Sequence, residues 1–346
     1  MAERRPLHKN LDAIEKDLLG ILRGEHDGSP EQRIYQDLLW SLEKIREARF
    51  DIVELRLLNT AFKELRHAFR IFKEYYKVPK AAVFGSARTS PRHPDYRMAK
   101  AFGRELARKG WMVITGGASG IMEAAMVGAG ARSSFGLNIA LPFEQSANPV
   151  IRDNKKLMNF KYFFTRKLMF LKESAATVLF PGGFGTFDEW FESLTLVQTG
   201  KAKPRPIVLV DHPKSRYWKS ILETLKSTME DGGQISVGDL ELVRHTQDVG
   251  TAVGELTGFY SNYHSSRFLR DRYLIRLRRR LSAPELKRLH GRFGDILKEG
   301  TFERMKDFSE DDDKDPSLER LVFRFDREKY QRLHALIEVL NGRETA

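Results

Sequence analysis

The stretch ATVLFPGGFGTFDE, residues 176–189, joins an apolar strand, a glycine-rich turn and the start of a helix. Ala176 to Phe180 predicts a buried strand, and Thr186 to Gln198 predicts the helix that follows. Glycines in the turn let the backbone come within hydrogen-bond distance of phosphate oxygens. The helix N-terminus adds free N–H groups and a positive dipole end. The stretch therefore predicts a phosphate-binding turn between a strand and a helix.

The same alternation continues on both sides of this stretch. Further strands are predicted at residues 81–84, 111–115, 135–141 and 206–210, and further helices at residues 95–109, 121–131, 163–173 and from Tyr217 onward. Short apolar strands that alternate with amphipathic helices are typical of a parallel sheet covered on both faces. We therefore predict an α/β fold for residues 80–260, a Rossmann-like doubly wound parallel sheet with helical N- and C-terminal extensions. Ligands of such sheets bind at the carboxyl ends of the strands.

Two more glycine turns follow predicted strands, Gly85-Ser86 and the run from Gly116 to Gly120. Three such turns at one end of a sheet predict a phosphorylated ligand; the alternative is that glycine only permits tight turns. None of the turns has the Gly-x-Gly-x-x-Gly pattern with an acidic residue about 20 residues later, and the chain has no Gly-Lys-Ser/Thr of a Walker A loop. The absence of these two patterns argues against hydride transfer and NTP hydrolysis.

The N-terminal segment, residues 1–79, is predicted to be a helical extension. Ser29 can cap a helix, Pro30 suits its first position, and apolar residues recur at helical spacing from residue 34 to residue 72. A segment of this kind more often serves packing or dimerisation than catalysis.

The C-terminal segment, residues 261–346, is predicted to be a mainly helical, charged extension. Its arginines, including the run 278–280, suggest either a charged helix face over the core or a surface for a polyanion. The acidic stretch from Glu310 to Asp315 is predicted to be an exposed loop. Residues 321–325 are predicted to form a strand and residues 326–340 a closing helix.

Composition limits the function further. The chain has 346 residues, a net charge of +12 and no cysteine, which excludes disulfides, a thiolate nucleophile and a zinc site built on sulfur. Lys and Arg exceed Asp and Glu most strongly in residues 80–260, but a basic surface attracts mononucleotides and nucleic acids alike. Because no segment reaches the roughly 20 apolar residues of a membrane span, we expect a cytoplasmic protein without a membrane partner.

The third glycine turn resembles a family motif. Residues 181–189, Pro-Gly-Gly-Phe-Gly-Thr-Phe-Asp-Glu, resemble the Pro-Gly-Gly-x-Gly-Thr-x-x-Glu motif of the LONELY GUY family, formerly labelled possible lysine decarboxylases. Arg166-Lys167 resembles the family's Arg-Lys pair, and residues 116–122 resemble its other glycine turn. The order and spacing agree over residues 80–260. The flanking segments resemble the extended bacterial members.

This resemblance implies hydrolysis of the N-glycosidic bond of a nucleoside 5′-monophosphate to a free base and ribose 5-phosphate. The base stays open between adenine, an N6-substituted adenine as in cytokinins, and other purines or pyrimidines. Because cleavage builds positive charge on the ribose, a carboxylate beside the sugar stabilises it or orients water. We predict Glu189 as that carboxylate, in the first turn of its helix where the dipole favours the ionised form. Arg166 is the second predicted catalytic residue, holding the ribose, the phosphate or the departing base.

The phosphate is expected at the third turn, with help from the other two. The predicted binding residues are Gly182, Gly183, Gly185, Thr186, Gly117, Ser86, Arg88, Lys167 and Glu123. Lys167 is either a binding residue or an ion-pair partner, and Glu123 either faces the ribose or base or is exposed to solvent. Residues 143–156, including Asn148-Pro149, are expected to wall the base pocket.

No cofactor and no metal are expected, and the family implies a homodimer or a larger homo-oligomer. The alternatives are a non-catalytic nucleotide or cofactor carrier on the same fold and, less favoured, a nucleic-acid-binding protein. The presence of both Arg166 and Glu189 argues against a carrier, which needs only the phosphate cradle.

Overall fold

The computed structural model describes residues 16, 18–21, 23, 29–140, 147–305, 311, 313 and 315–343. The chain divides into two compact units, residues 1–63 and residues 64–346. Among the helices in the described ranges, none is both long and apolar enough to cross a membrane.

Two helices, α1 (Pro30–Glu47) and α2 (Ile52–Lys73), confirm the helical prediction for the N-terminal segment. Ser29 is the N-cap of α1, where its side chain accepts a hydrogen bond from the backbone N–H of Gln32, and Pro30 begins the helix. No residue of α1 is buried, and Trp40 is 64% exposed. The last turns of α2 differ, because Phe72 is buried there in the core of the second unit.

The second unit contains a parallel sheet, which confirms the predicted Rossmann-like fold. Its strands in the described residues are β1 (Lys80–Phe84), β2 (Met112–Thr115), β3 (Ser134–Ile139), β4 (Leu157–Phe160), β5 (Ala176–Leu179), β6 (Ile207–Val210) and β7 (Val243–Thr246), in the order β4-β3-β2-β1-β5-β6-β7. Every pairing in this sheet is parallel. The sequence did not predict β4 and β7, the two edge strands. Leu141, the predicted end of β3, lies outside the described residues.

Helices cover both faces of this sheet, as expected for a doubly wound fold. They are α3 (Pro94–Arg108), α4 (Ile121–Ala129), α5 (Phe163–Glu173), α6 (Phe184–Gln198), α7 (Tyr217–Leu225) and α8 (Val249–Phe259). One core combines side chains of α3, α4 and α8, such as Phe102 and Leu256, with one face of the sheet. The other combines α2, α5, α6 and α7, such as Trp190 and Trp218, with the opposite face. The central strands are buried on both sides, which is why they read as continuous apolar runs.

The C-terminal segment contains a second sheet, so the prediction that it is mainly helical is wrong. In the described residues four antiparallel strands, β8 (Tyr263–Leu269), β9 (Arg272–Leu277), β10 (Leu297–Arg304) and β11 (Glu319–Phe325), lie in the order β10-β11-β9-β8. Helices α9 (Ala283–Phe293) and α10 (Tyr330–Leu340) pack on one face of the sheet. The predicted strand at residues 321–325 and the closing helix are confirmed.

The helical prediction failed because the apolar residues of β9 recur at every second position, which is the period of a strand. Tyr273, Ile275 and Leu277 alternate along the strand and join the core beneath the helices, whereas Leu274 packs in a separate small cluster. Arg270, at φ +53°, makes the tight turn between β8 and β9. Alternation with period two defines a strand, and the arginines between the apolar residues imitated a charged helix face.

The acidic stretch is not a fully exposed loop, because Asp311 is buried. Its carboxylate accepts hydrogen bonds from Arg276 and Arg320, with Nε to Oδ2 distances of 3.0 and 2.9 Å. Both arginines lie in strands and are themselves buried. Within this stretch, residues 310, 312 and 314 lie outside the described residues. The buried network corrects the expectation that Arg276 belongs to a charged helix face.

Candidate active site

The three glycine turns meet at the carboxyl ends of adjacent strands. β1 pairs with β2 on one side and with β5 on the other, so the strand order reverses beside β1 and opens the crevice in which such sheets bind ligands. The Ser86 N–H donates to the carbonyl of Pro181 at 3.0 Å, and the Ser86 carbonyl accepts from the Ile121 N–H at 3.0 Å. Ser86 therefore ties the first turn to both of the others.

The third turn begins its helix earlier than predicted. Gly183 is the N-cap of α6, the helix starts at Phe184, and the N–H groups of Thr186 and Phe187 donate to the Gly183 carbonyl. Glu189 therefore lies in the second turn of α6, so the expectation of a first-turn carboxylate is wrong. Because the dipole effect falls off within the first turn, it does not determine the ionisation of Glu189.

Close packing explains one glycine of this turn. A Cβ added at Gly182 would lie 2.0 Å from Oγ1 of Thr186 and 3.0 Å from the amide nitrogen of Ser86. At Gly183 and Gly185 an added Cβ would meet nothing within 4 Å. The backbone at these two positions is therefore open toward a ligand. The Tyr217 hydroxyl holds the Gly182 peptide, because it donates to the Gly182 carbonyl and accepts from the Gly182 N–H at 3.4 Å.

The second turn is held by a residue from the predicted pocket wall. Gly117 has φ +76°, which favours glycine. Nδ2 of Asn148 donates to the carbonyls of Gly117 and Ala118 at 2.9 and 3.1 Å. Asn148 is buried and is not among the residues that line the cavity described next, so it supports the turn. Residues 143–146 of the predicted wall lie outside the described residues.

A cavity of about 640 Å³ opens between the first and third turns and α5. Its lining includes seven of the predicted site residues: Ser86, Arg88, Arg166, Gly183, Gly185, Thr186 and Glu189. The rest of the lining is Phe84, Gly85, Ala87, Gly116, Met122, Ile139, Phe163, Phe170, Phe184 and Asp188. A cavity of this volume can hold a nucleotide.

Glu189 is buried in the wall of this cavity, with 6% of its surface exposed. Burial raises the pKa of Glu189 from 4.5 to about 7, although Lys167 and Arg166 partly oppose the rise. Desolvation penalises the ionised carboxylate, whereas the neighbouring cations favour it. Glu189 therefore exchanges its proton near neutral pH, which suits a catalytic acid or base.

Lys167 and Arg166 of α5 both act electrostatically on Glu189, and each is held by contacts with other residues. Nζ of Lys167 lies 2.8 Å from Asp188 Oδ1 and 2.8 Å from Glu192 Oε2. Burial alone would lower the pKa of Lys167, but these hydrogen bonds raise it, so the ammonium persists. The guanidinium carbon of Arg166 lies 4.9 Å from the ring centroid of Phe163, a distance at which cation–π attraction orients it. Lys167 is thus an ion-pair partner of the carboxylates flanking Glu189.

Four predicted residues lie outside the lining of the cavity, and Lys167 is one of them. Glu123 is half-buried and acts electrostatically on Tyr96, whose pKa is raised first by burial and then by Glu123. Gly117 and Gly182 lie behind the cavity surface and shape the turns. Tyr217 was not among the predicted site residues, because its contact with Gly182 spans 35 residues of sequence. The described residues hold no group of three or more His, Cys, Asp or Glu side chains suited to a metal ion.

Residues 119–256 match the family model described as "Possible lysine decarboxylase". The match contains both the Arg166-Lys167 pair and the Glu189 turn. The comparison with curated proteins gives no match.

Several solved structures are similar to about half of this chain. The molybdenum cofactor carrier protein of Chlamydomonas reinhardtii is 23% identical over 51% of this chain and 94% of its own, with a TM-score of 0.36. The molybdenum cofactor binding protein of Rippkaea orientalis is 19% identical over 51% and 93%, with a TM-score of 0.37. DNA processing protein A of Helicobacter pylori is 16% identical over 52% and 81%, with a TM-score of 0.36. Because one fold serves many functions, likeness of this degree does not assign one.

Proposed function

The chain belongs to the family described as possible lysine decarboxylases, the LONELY GUY family, and from this premise we propose that it hydrolyses the N-glycosidic bond of nucleoside 5′-monophosphates. The products are a free base and ribose 5-phosphate. One observation carries the proposal: the buried carboxylate of Glu189, with a pKa near 7, lies in the wall of a cavity that also contains the open backbone of Gly183 and Gly185.

The phosphate binds at the N-terminus of α6. The backbone there is open at Gly183 and Gly185, and the helix supplies N–H groups and a positive dipole end. Ser86, Thr186 and Arg88 line the same cavity and add two hydroxyls and a guanidinium. Phosphate oxygens accept hydrogen bonds from all three kinds of donor.

Glu189 in its ionised form stabilises the positive charge that develops on the ribose and orients the attacking water. The water oxygen bonds to C1′ as the bond from C1′ to the base nitrogen breaks. One water proton goes to the Glu189 carboxylate, and the carboxyl group then gives this proton to the departing base, which restores the ionised carboxylate. Arg166, oriented by the Phe163 ring, neutralises the negative charge that builds on the base.

The lysines of this domain that are buried or half-buried in the described residues give lysine decarboxylation no support. Lys80 and Lys156 are both buried, but their Nζ atoms donate to backbone carbonyls of Tyr75, Val78 and Arg132. Lys167 is held by two carboxylates. Such contacts occupy the amines that a pyridoxal cofactor would require as a Schiff base.

Base release from defined nucleotides tests the proposal. The purified protein is incubated with AMP, GMP, IMP, CMP, UMP and isopentenyladenosine monophosphate, and free base is followed by chromatography. We expect release from at least one substrate and none from the Glu189→Gln protein. Tight nucleotide binding without release from any substrate would favour the alternative, a non-catalytic nucleotide or cofactor carrier. A carrier has no need of a buried carboxylate that titrates near neutral pH.

Nucleic-acid binding is the less favoured alternative. Several arginines of the C-terminal segment are engaged with carboxylates, Arg276 with Asp311 and Arg279 with Glu285. These ion pairs reduce the basic surface that a polyanion would contact. A steep fall of RNA or DNA binding with salt would support this alternative instead.

We also propose that the protein is a homodimer or larger homo-oligomer. The outer faces of α5 and α6 expose Phe164, Leu168 and Phe191 at 53%, 46% and 37%, and apolar patches of this kind mark protein interfaces. The molar mass from light scattering in solution tests the proposal. We expect Leu168→Glu to reduce that mass to one chain, and a monomeric wild type would contradict it.

A further inference from the structure

The lining of the candidate cavity combines polar and apolar groups. The turns, Thr186 and Glu189 are polar, whereas Met122, Ile139 and Phe163 contribute apolar surface. These three side chains offer no strong hydrogen-bonding group. A ligand that contacts both kinds of surface therefore combines an anionic group with an apolar group.

Phe163 is the best placed of the apolar residues to meet such a ligand. It is the first residue of α5 and is 47% exposed, although it lines the cavity. Its orientation is supported from within the protein, because the Arg166 guanidinium lies 4.9 Å from its ring centroid and 5.9 Å from that of Phe170. Phe184 also lines the cavity, but it is 96% exposed.

Met122 packs against a glycine. A Cβ added at Gly116 would lie 2.9 Å from the sulfur of Met122, so a larger residue there would require this thioether to shift. Ile139 ends β3, the strand against which α5 packs. Methionine sulfur and aliphatic side chains make favourable contacts with aromatic rings.

We propose that Phe163 is the base-stacking residue of the site and that Met122 and Ile139 complete an apolar slot for the base. The proposal rests on the proposed function and names its substrate class: nucleotides selected by the stacking area of the base, purines ahead of pyrimidines. The phosphate is bound separately by the cradle at α6. Stacking of a base on an aromatic side chain tolerates any base, because every base has a π-face.

Binding of AMP, CMP and ribose 5-phosphate by calorimetry separates the two ends of the ligand. The variants are Phe163→Leu, Phe163→Trp and the control Phe69→Leu, whose ring is 41% exposed on α2 and does not line the cavity. We expect Phe163→Leu to weaken AMP binding about tenfold, within the range known for base stacking. Ribose 5-phosphate should bind equally to all proteins within about twofold, since it has no base to stack.

Further outcomes decide the proposal. AMP should bind wild type more tightly than CMP, and Phe163→Leu should reduce that difference, whereas Phe163→Trp and Phe69→Leu should preserve it. An equal loss of AMP and ribose 5-phosphate binding in Phe163→Leu, or an unchanged preference for AMP, would overturn it. Because binding is measured, a protein that stacks bases without releasing them would refute the proposed hydrolysis and support this inference.

Discussion

Replacing Glu189 with glutamine should abolish turnover and stabilise the protein above neutral pH. The side chain is buried, and burial raises its pKa from 4.5 to about 7. One pKa unit corresponds to roughly 1.4 kcal/mol. Ionising Glu189 in the folded protein therefore costs about 3 kcal/mol of folding stability, an order-of-magnitude value. Glutamine has nearly the same shape and carries no charge, so this cost disappears.

The pH window follows from the two pKa values. Below 4.5 the carboxyl is protonated in both the folded and the unfolded chain, and it imposes no cost. Between 4.5 and about 7 the folded state holds a proton that the unfolded state has lost, so wild-type stability falls as pH rises. Above about 7 both states are ionised and the full cost applies. The advantage of Glu189→Gln should therefore grow from acid to alkaline pH.

Urea unfolding between about pH 5 and pH 8.5 measures this difference, with base release assayed on the same samples. Because 1 kcal/mol shifts the Tm of a domain of 150–250 residues by about 2–4 °C, a cost of about 3 kcal/mol should separate thermal melts above neutral pH by roughly 6–12 °C. Glu241→Gln is the control, since Glu241 is exposed and lies far along the chain from the cavity. Parallel stability curves for wild type and Glu189→Gln would refute the burial argument, and turnover at the wild-type rate would refute the catalytic role.

Two further changes probe the surroundings of this carboxylate. Lys167→Met removes a cation that lowers the pKa of Glu189. The rising acid limb of kcat/KM should therefore move to higher pH in a profile from about pH 5 to 9. An unmoved limb would show that Lys167 does not lower the pKa of this carboxylate. Gly182→Ala brings a Cβ within 2.0 Å of Thr186 Oγ1 and should cost about 1–3 kcal/mol of stability by overpacking. The Cβ of Gly183→Ala meets nothing within 4 Å. This second variant should therefore keep the wild-type Tm while weakening phosphate binding. Equal Tm values for the two alanine variants would contradict this packing argument.

The central domain was predictable because its information is local. β1, β2, β5 and β6 are buried on both faces and read as apolar runs, and glycine turns follow three of them. The edge strands β4 and β7 were not predicted because their partly exposed residues interrupt the run of apolar residues. In β7, Arg244, His245 and Thr246 are only half-buried, so their sequence lacks an apolar run.

The second sheet was not predicted because charged residues obscured the alternation of apolar residues along its strands. Arg276 and Arg320 are buried in strands and satisfied by Asp311, a residue that the sequence places in an acidic stretch. Isolated buried charges are costly, so arginines at such positions ordinarily indicate solvent. Only the long-range pairing with one carboxylate makes their burial tolerable, and that pairing is invisible in the local pattern.

Local contacts form the phosphate cradle of the candidate site, whereas long-range contacts set the ionisation of Glu189. The cradle depends on neighbours in sequence, since Gly183 caps the helix that Phe184 begins. The ionisation of Glu189 instead depends on the packing that buries it and on Arg166 and Lys167, which α5 brings close from more than 20 residues away. Lys167 and Arg166 alone would have lowered the pKa of this carboxylate, but desolvation dominates and raises it. Motif spacing can therefore locate the carboxylate, whereas its readiness to exchange a proton near neutral pH is a property of the folded domain.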